Sequence, residues 1–131
     1  VLQIEIDKIQ ITATDTELRS GCAIIDFGAE TTTVQVYKDH LLRHLVVLPL
    51  GSNNITKDIC SQGIEEVDAE ELKIKYASAY TEPYEIDSKP VTYTYGADSS
   101  TISDRVLNEI TEARMEEIIT KRLKRRIDDM Q

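Results

Sequence analysis

Residues 22–48 leave this chain little topological freedom. Cys22–Phe27 is a nearly continuous apolar run, and residues 33–37 and Leu41–Leu48 have the composition of two further strands. Only a small-residue turn and the short polar Lys38-Asp39-His40 separate them, which predicts a three-stranded meander. The uninterrupted apolar character of Cys22–Phe27 suits a central strand buried on both faces. The first turn is unusual: IIDFGAETTTVQVY, residues 24–37, passes from Asp26 through Gly28 and Ala29 into three consecutive threonines.

Past the meander, PLGSNN (residues 49–54) breaks the strand pattern and offers N-cap residues for a helix through Ile55, Ile59 and Cys60. Asp68 is suited to cap a second helix, with Glu71 completing a capping box and Leu72, Tyr76 and Ala79 along one face. Residues 84–86 and 91–95 (VTYTY) predict a hairpin turning at Ser88-Lys89-Pro90. Residues 99–128 predict one long helix. Its stripe Ile102, Val106, Ile110, Ala113 is rotated from a second stripe, Ile119, Leu123, Ile127, so the helix is kinked near Arg114 or buried on a wide face. At the other end, VLQIEI (residues 1–6) alternates as a half-buried strand, and the polar stretch to Gly21 has no evident role. The expected class is α/β, or α+β in the piece itself.

A chain of 131 residues has room for one modest domain, and 40% apolar with 30% charged residues is the composition of a folded soluble protein. The net charge of −9 argues against a general nucleic-acid binder, which needs a basic face. The basic run Lys121-Arg122-Leu123-Lys124-Arg125-Arg126 fits a solvated helix end matched to the helix dipole, with Leu123 and Ile127 inward. The two cysteines, Cys22 and Cys60, lack a CxxC arrangement and read as reduced, buried thiols. His40 and His44 stand on a turn and strand with no Cys or carboxylate cluster beside them, and are expected not to bind metal. Neither an 18-residue apolar run nor a signal-peptide pattern is present, and the start at Val1 in mid-pattern suggests a piece of a longer protein.

A backbone turn that receives a phosphate needs little side-chain bulk and inward-aimed N–H groups. Gly28 and Ala29 meet that need; Asp26 could hold Mg²⁺ through water, and the Thr31 hydroxyl could donate to a phosphate oxygen. On the pattern alone, a plain hairpin accounts for the same residues equally well.

Three motifs in order tip that balance. IIDFGAETTTVQVY resembles the second phosphate loop of the actin, sugar kinase and heat-shock chaperone ATPase superfamily, strand–D-x-G-x-x-T–strand. GSNNITKDI (residues 51–59) and AEELKIKYASA (residues 69–79) are similar to two helix motifs of the FtsA family of bacterial actin homologues. The resemblance covers nearly the whole chain and is weakest over residues 1–20 and 81–100.

The resemblance implies an actin-like ATPase fragment, with residues 1–50 as part of subdomain 2A and residues 51–131 as subdomain 2B. It maps Asp26, Gly28, Ala29 and Thr31 onto the phosphate loop of an ATP and magnesium site, and Glu70 and Lys73 onto the pair that reaches the ribose. Read without the family, Glu70 and Lys73 are a solvated helix surface. RVLNEITEARMEEII (residues 105–119) looks like the helix that docks the C-terminal peptide of FtsZ, with Arg114 and neighbouring Met115 at the docking position. From the residues, Arg114 equally suits a pair within its own helix, with Glu117 or neighbours near Ile110.

Two departures stand out: Glu30 puts a carboxylate where the family has glycine, and Ala77 replaces another glycine. With the first phosphate loop and the adenosine loop outside the chain, the piece is expected to bind ATP weakly or not at all and to catalyse nothing by itself. The implied setting is the cytoplasmic face of the cell membrane at the division site. Self-association and FtsZ are the implied partners, and membrane contact would be made only through a segment absent here. The alternative is another actin-superfamily ATPase or kinase, chaperone-like or shape-determining.

Overall fold

In the computed structural model, which describes residues 13–79 and 91–129, a two-residue turn together with a one-residue register shift between Val36 and Tyr37 sets the pairing of two strands. Asp39 and His40 have φ of 53° and 61°. Two successive left-handed residues make the hairpin turn whose twist matches its flanking strands. Their amides donate to the Arg19 and Leu18 carbonyls at 3.1 and 3.0 Å, near the end of helix α1 (Asp15–Ser20). Helix carbonyls that would otherwise lack partners are thus satisfied by the turn. The polar stretch before Gly21 therefore has a role: Thr14 and Glu17 form a capping box that starts this helix.

The turn joins β2 (Thr32–Lys38) to β3 (Leu41–Leu48), and β1 (Cys22–Phe27) pairs with β2 on the other side, all antiparallel. The register aligns Ile25, Val34 and Val46, and next to them Asp26, Thr33 and Val47. The expectation of a central Cys22–Phe27 is corrected: β2 is the middle strand, with Val34 and Gln35 buried on opposite faces. β1 alternates between half-buried and exposed, and Ile25 is 53% exposed. Apolarity alone did not separate edge from centre, because pairing order decides it.

Helix α2 (Ser52–Cys60) follows as expected, and α3 (Glu66–Tyr76) begins earlier than Asp68. Glu65, in extended backbone, is its N-cap without a side-chain bond, and Asp68 lies inside the first turn, where the helix dipole favours a carboxylate. Ala69 and Leu72 are buried; Tyr76 ends the helix, and Ala79 lies beyond it.

A second strand pairing follows that the sequence did not signal. β4 (Thr92–Tyr95) pairs with β5 (Ser100–Ser103), aligning Tyr93 with Ile102, whereas the expected strand at residues 84–86 and the turn at 88–90 lie outside the described residues. Helix α4 therefore spans Asp104–Met115 rather than starting at Ser99, and the Ser103 hydroxyl accepts the Val106 N–H at 3.1 Å as its cap. Ile102, assigned above to a helical stripe, is a strand residue in the core.

The rotated stripes have a structural cause. Residues Glu116–Leu123 form a π-helical segment before the chain resumes as α5 (Lys124–Asp128). Hydrogen bonding from i to i+5 widens the turn, so Ile118 and Leu123, five apart, are both buried. On the outer side, Arg122 bonds Glu117, also five apart, at 3.0 Å.

Two cores result. Ile55, Ile59, Ile64, Ala69, Leu72, Ile102 and Leu107 form one between α2, α3, β5 and α4. Val34, Val46, Leu48 and Leu123 form the other, where the far end of the long helix lies on the sheet. Cys22 and Cys60 are free but only half-buried, a correction to their expected burial.

The helical face turned to the core is that of Leu107, fully buried, not of Val106, 37% exposed. Leu107→Ala is expected to cost about 2–5 kcal/mol and Val106→Ala no more than about 1 kcal/mol, measured by urea denaturation. Equal losses would contradict this packing.

Candidate functional site

Gly51 is where the sheet and the helices meet. A methyl group there would lie 2.5 Å from the carbonyl oxygens of both Gly28 and Ala29, so no side chain fits between the turn and α2. The close approach lets Ser52 N–H donate to Gly28 O and Asn53 N–H to Ala29 O, both at 2.9 Å. Carbonyls of the turn thus cap the first amides of α2. The Gly51 amide donates to Asn54 Oδ1 at 2.9 Å, and the Thr32 hydroxyl to Leu50 O at 2.9 Å, which hold the approach to the helix.

The turn is a tight loop closed by the Gly28 N–H on Thr31 O at 2.9 Å. A trans peptide points its C=O and N–H in opposite directions. Since Gly28 O and Ala29 O face α2, the N–H groups of Ala29 and Glu30, in the same peptide units, face away from it. They have no acceptor among the described residues. Asp26 lies on β1 opposite Thr33, and Thr31 is exposed at the loop end.

Glu30 is held by the Asn53 side-chain amide and lines a shallow cleft with Asn53, Thr56, Lys57, Cys60 and Glu66. Its carboxylate is therefore drawn to the positive end of α2.

Glu70 and Lys73 converge on the same helix. Lys73 Nζ lies 2.9 Å from Glu70 Oε2 and donates to Ser52 O at 3.4 Å, while the Thr56 hydroxyl donates to Glu70 Oε2 at 2.6 Å. Ser52 is thus gripped from both sides, by the turn through its N–H and by Lys73 through its C=O. Lys73 is 12% exposed at its side chain. The Thr56 hydroxyl, and then Lys73, hold the Glu70 carboxyl below its ordinary range. The sequence presented Glu70 and Lys73 as neighbours on one helix face; it gave no sign that both reach α2.

Arg114 lies at the other end of α2. Its Nε and Nη2 donate to Asp58 Oδ2 and Oδ1 at 2.6 and 2.8 Å, a two-pronged pair between helices in place of a pair within α4. Asp58 raises the Arg114 pKa further, and Nη1 has no acceptor among the described residues. Met115 is half-buried against the first core. Ser52, Asn53, Thr56 and Asp58 were not singled out in the sequence as site residues. Their signal lay in the polar letters of GSNNITKDI, on one helix bonded to the turn, to Glu70 and Lys73, and to Arg114.

Residues 23–127 match the family model described as cell division protein FtsA. The chain belongs to the FtsA family. It is 31% identical over 118 residues to the cell division protein FtsA of Porphyromonas gingivalis, covering 90% of this chain and 25% of that protein. To the Bacillus subtilis FtsA it is 37% identical over 106 residues, covering 79% of this chain and 24% of the relative. The chain thus spans about a quarter of the length of these curated relatives. Among solved structures it resembles MreB5 of Spiroplasma citri bound to ADP, with a TM-score of 0.65 at 17% identity over 88% of this chain and 38% of that one. The structure of the same protein bound to AMPPNP gives 0.64. The fold is accordingly actin-like, as the sequence motifs implied, and the FtsA assignment sets aside a chaperone ATPase or a kinase. Among the described residues no helix is long and apolar enough to cross a membrane.

Two measurements test the joint. Gly51→Ala is expected to cost about 1–3 kcal/mol in urea denaturation by forcing the turn off α2, and an unchanged midpoint would refute the close approach. Because the folded Glu70 pKa lies below its unfolded value, its contribution is present above the ordinary carboxylate range and lost as pH falls through the lowered folded pKa. Glu70→Gln is therefore expected to flatten the stability curve below about pH 5, leaving the neutral-to-alkaline limb parallel to the parent's.

Proposed function

We propose that this chain supplies one wall of a nucleotide cleft and the FtsZ-docking surface of an ATP-binding cell-division actin homologue that tethers FtsZ to the membrane. The observation that carries the nucleotide reading is the orientation of the first turn. With Gly28 O and Ala29 O fixed on α2, the amides of Ala29 and Glu30 form a small anion cradle on the opposite side, with little side-chain bulk at Gly28 and Ala29. Asp26, at the strand end before the turn, would hold magnesium through its water shell, and the Thr31 hydroxyl would donate to a phosphate oxygen. Glu70 and Lys73, anchored through Thr56 and Ser52, would meet the ribose. The MreB5 structures bound to ADP and to AMPPNP support a nucleotide in this fold.

Held by itself, the chain offers one side of such a site and is no enzyme; ATP and magnesium would belong to the intact protein. The FtsZ reading rests on Arg114, whose planar fork suits an acidic peptide or a terminal carboxylate, with Met115 beside it. Membrane attachment would come from another segment, leaving this part at the cytoplasmic face, where intact copies would also associate. With a net charge of −9, no nucleic-acid partner is proposed.

Calorimetric titration of the intact protein containing this chain tests both sites. Lys73→Met is expected to weaken ATP binding by roughly tenfold or more, and Arg114→Ala to weaken a synthetic FtsZ C-terminal peptide by a similar factor. ATP binding indifferent to Lys73 would remove the ribose role. Absence of peptide binding at millimolar concentration, or binding untouched by Arg114→Ala, would remove the docking role.

A further inference from the structure

The two proposed sites are joined by a single short helix. We propose that α2 couples nucleotide occupancy at the first turn to peptide docking at Arg114, and that Asp58 is the positioning residue through which it does so. The inference rests on the nucleotide and peptide readings above and adds a connection that neither requires.

At its N-terminal end α2 receives the Gly28 and Ala29 carbonyls on Ser52 and Asn53. Near its middle Thr56 holds Glu70. Close to its C-terminal end Asp58 grips Arg114. A nine-residue helix is about 13 Å long and has little internal freedom, so displacement of one end is carried to the other.

The input follows from peptide geometry. A phosphate drawn to the N–H side of the turn acts on the same peptide units whose carbonyls bond α2, and hydrogen bonds in series polarise one another. Glu30, through Asn53, adds a negative group at the same helix end, and Lys73 adds a cation on Ser52 O. Moving either to meet a nucleotide alters what α2 rests on.

The output is the guanidinium plane. Asp58 occupies the Nε–Nη2 edge in a two-pronged pair, with both side chains about a third exposed or less. An arginine held by that edge still presents Nη1 to a second carboxylate, so Asp58 fixes the direction of approach without filling the site. Shifting α2 re-aims Arg114. A clamp serving stability alone would leave the peptide's affinity independent of nucleotide.

The test is peptide affinity measured with and without saturating ATP, in the intact protein containing this chain and in its Asp58→Asn and Asp58→Glu variants. The parent is expected to show a ratio of at least about fivefold between the two states, the same ratio appearing in ATP affinity with and without peptide. Asp58→Asn is expected to bring the ratio to within about twofold of unity, and Asp58→Glu, which keeps the carboxylate, to retain most of it. General destabilisation would move both affinities and not their ratio. A parent ratio near unity, or an unchanged ratio in Asp58→Asn while both ligands bind, would overturn the coupling and leave the two sites standing. Failure of the parent to bind ATP or peptide would overturn the site readings and the coupling with them.

Discussion

Two carbonyl oxygens resting on the first amides of a helix determine how the rest of this molecule is assembled. Helix N-termini leave N–H groups without intrahelical partners, and most helices answer with a side chain. Here the answer is another part of the backbone: Gly28 O on Ser52 and Ala29 O on Asn53, brought close because Gly51 has no side chain. That contact orients the turn, sets α2 beside the turn at the end of the sheet, and leaves the Ala29 and Glu30 N–H groups facing away without an acceptor among the described residues. Lys73 and Glu70 then close on α2 from the other side. An exposed ion pair stabilises little, and Glu70 is itself 42% exposed, so the geometry here comes mainly from backbone contact and from burial of Ala69 and Leu72 beneath α3.

The long C-terminal helix serves both cores because it does not keep one periodicity. Leu107 belongs to the core beneath α2 and α3, Leu123 to the core on the sheet. A regular helix carrying Ile118 and Leu123 five apart would turn one of them outward. The wider π-helical turn at Glu116–Leu123 brings both inward, and the Glu117–Arg122 pair follows the same spacing outside.

Much of this was legible where the signal is local. The three strands, the break at residues 49–54 and helix α2 follow from residues acting on their near neighbours, whereas α1 went unread in the polar stretch before Gly21. The superfamily followed from motif order. The order of the strands did not, since an apolar run such as Cys22–Phe27 is compatible with either an edge or a centre until its partners are known. The strand pairing of residues 100–103 was hidden because Ile102 and Val106 happen to be spaced like helix neighbours, although the chain enters the helix only at Asp104. In the candidate site, Asp26, Gly28, Ala29 and Thr31 could be nominated from the turn pattern only once the two later motifs stood beside it. The role of α2 as a common support did not, because its bonds reach 23, 14, 21 and 56 residues along the chain, to Glu30, Glu70, Lys73 and Arg114. Nothing within a short window encodes such partners.

The tyrosine pair at the end of α3 gives the fold an optical consequence. Tyr76 and Tyr93 stack with ring centroids 4.0 Å apart and planes within 8°, and Tyr93 donates its hydroxyl to Asp104 at 2.6 Å. Helix α3, the small hairpin and the start of α4 therefore converge on two nearly parallel chromophores. The protein has no tryptophan to mask them. Fixed aromatic packing is what gives a native protein its near-ultraviolet dichroism, which vanishes when tertiary packing loosens even if helices persist. In this chain that band reports the meeting of these three elements together with the other ordered tyrosines, buried Tyr37 of β2 among them.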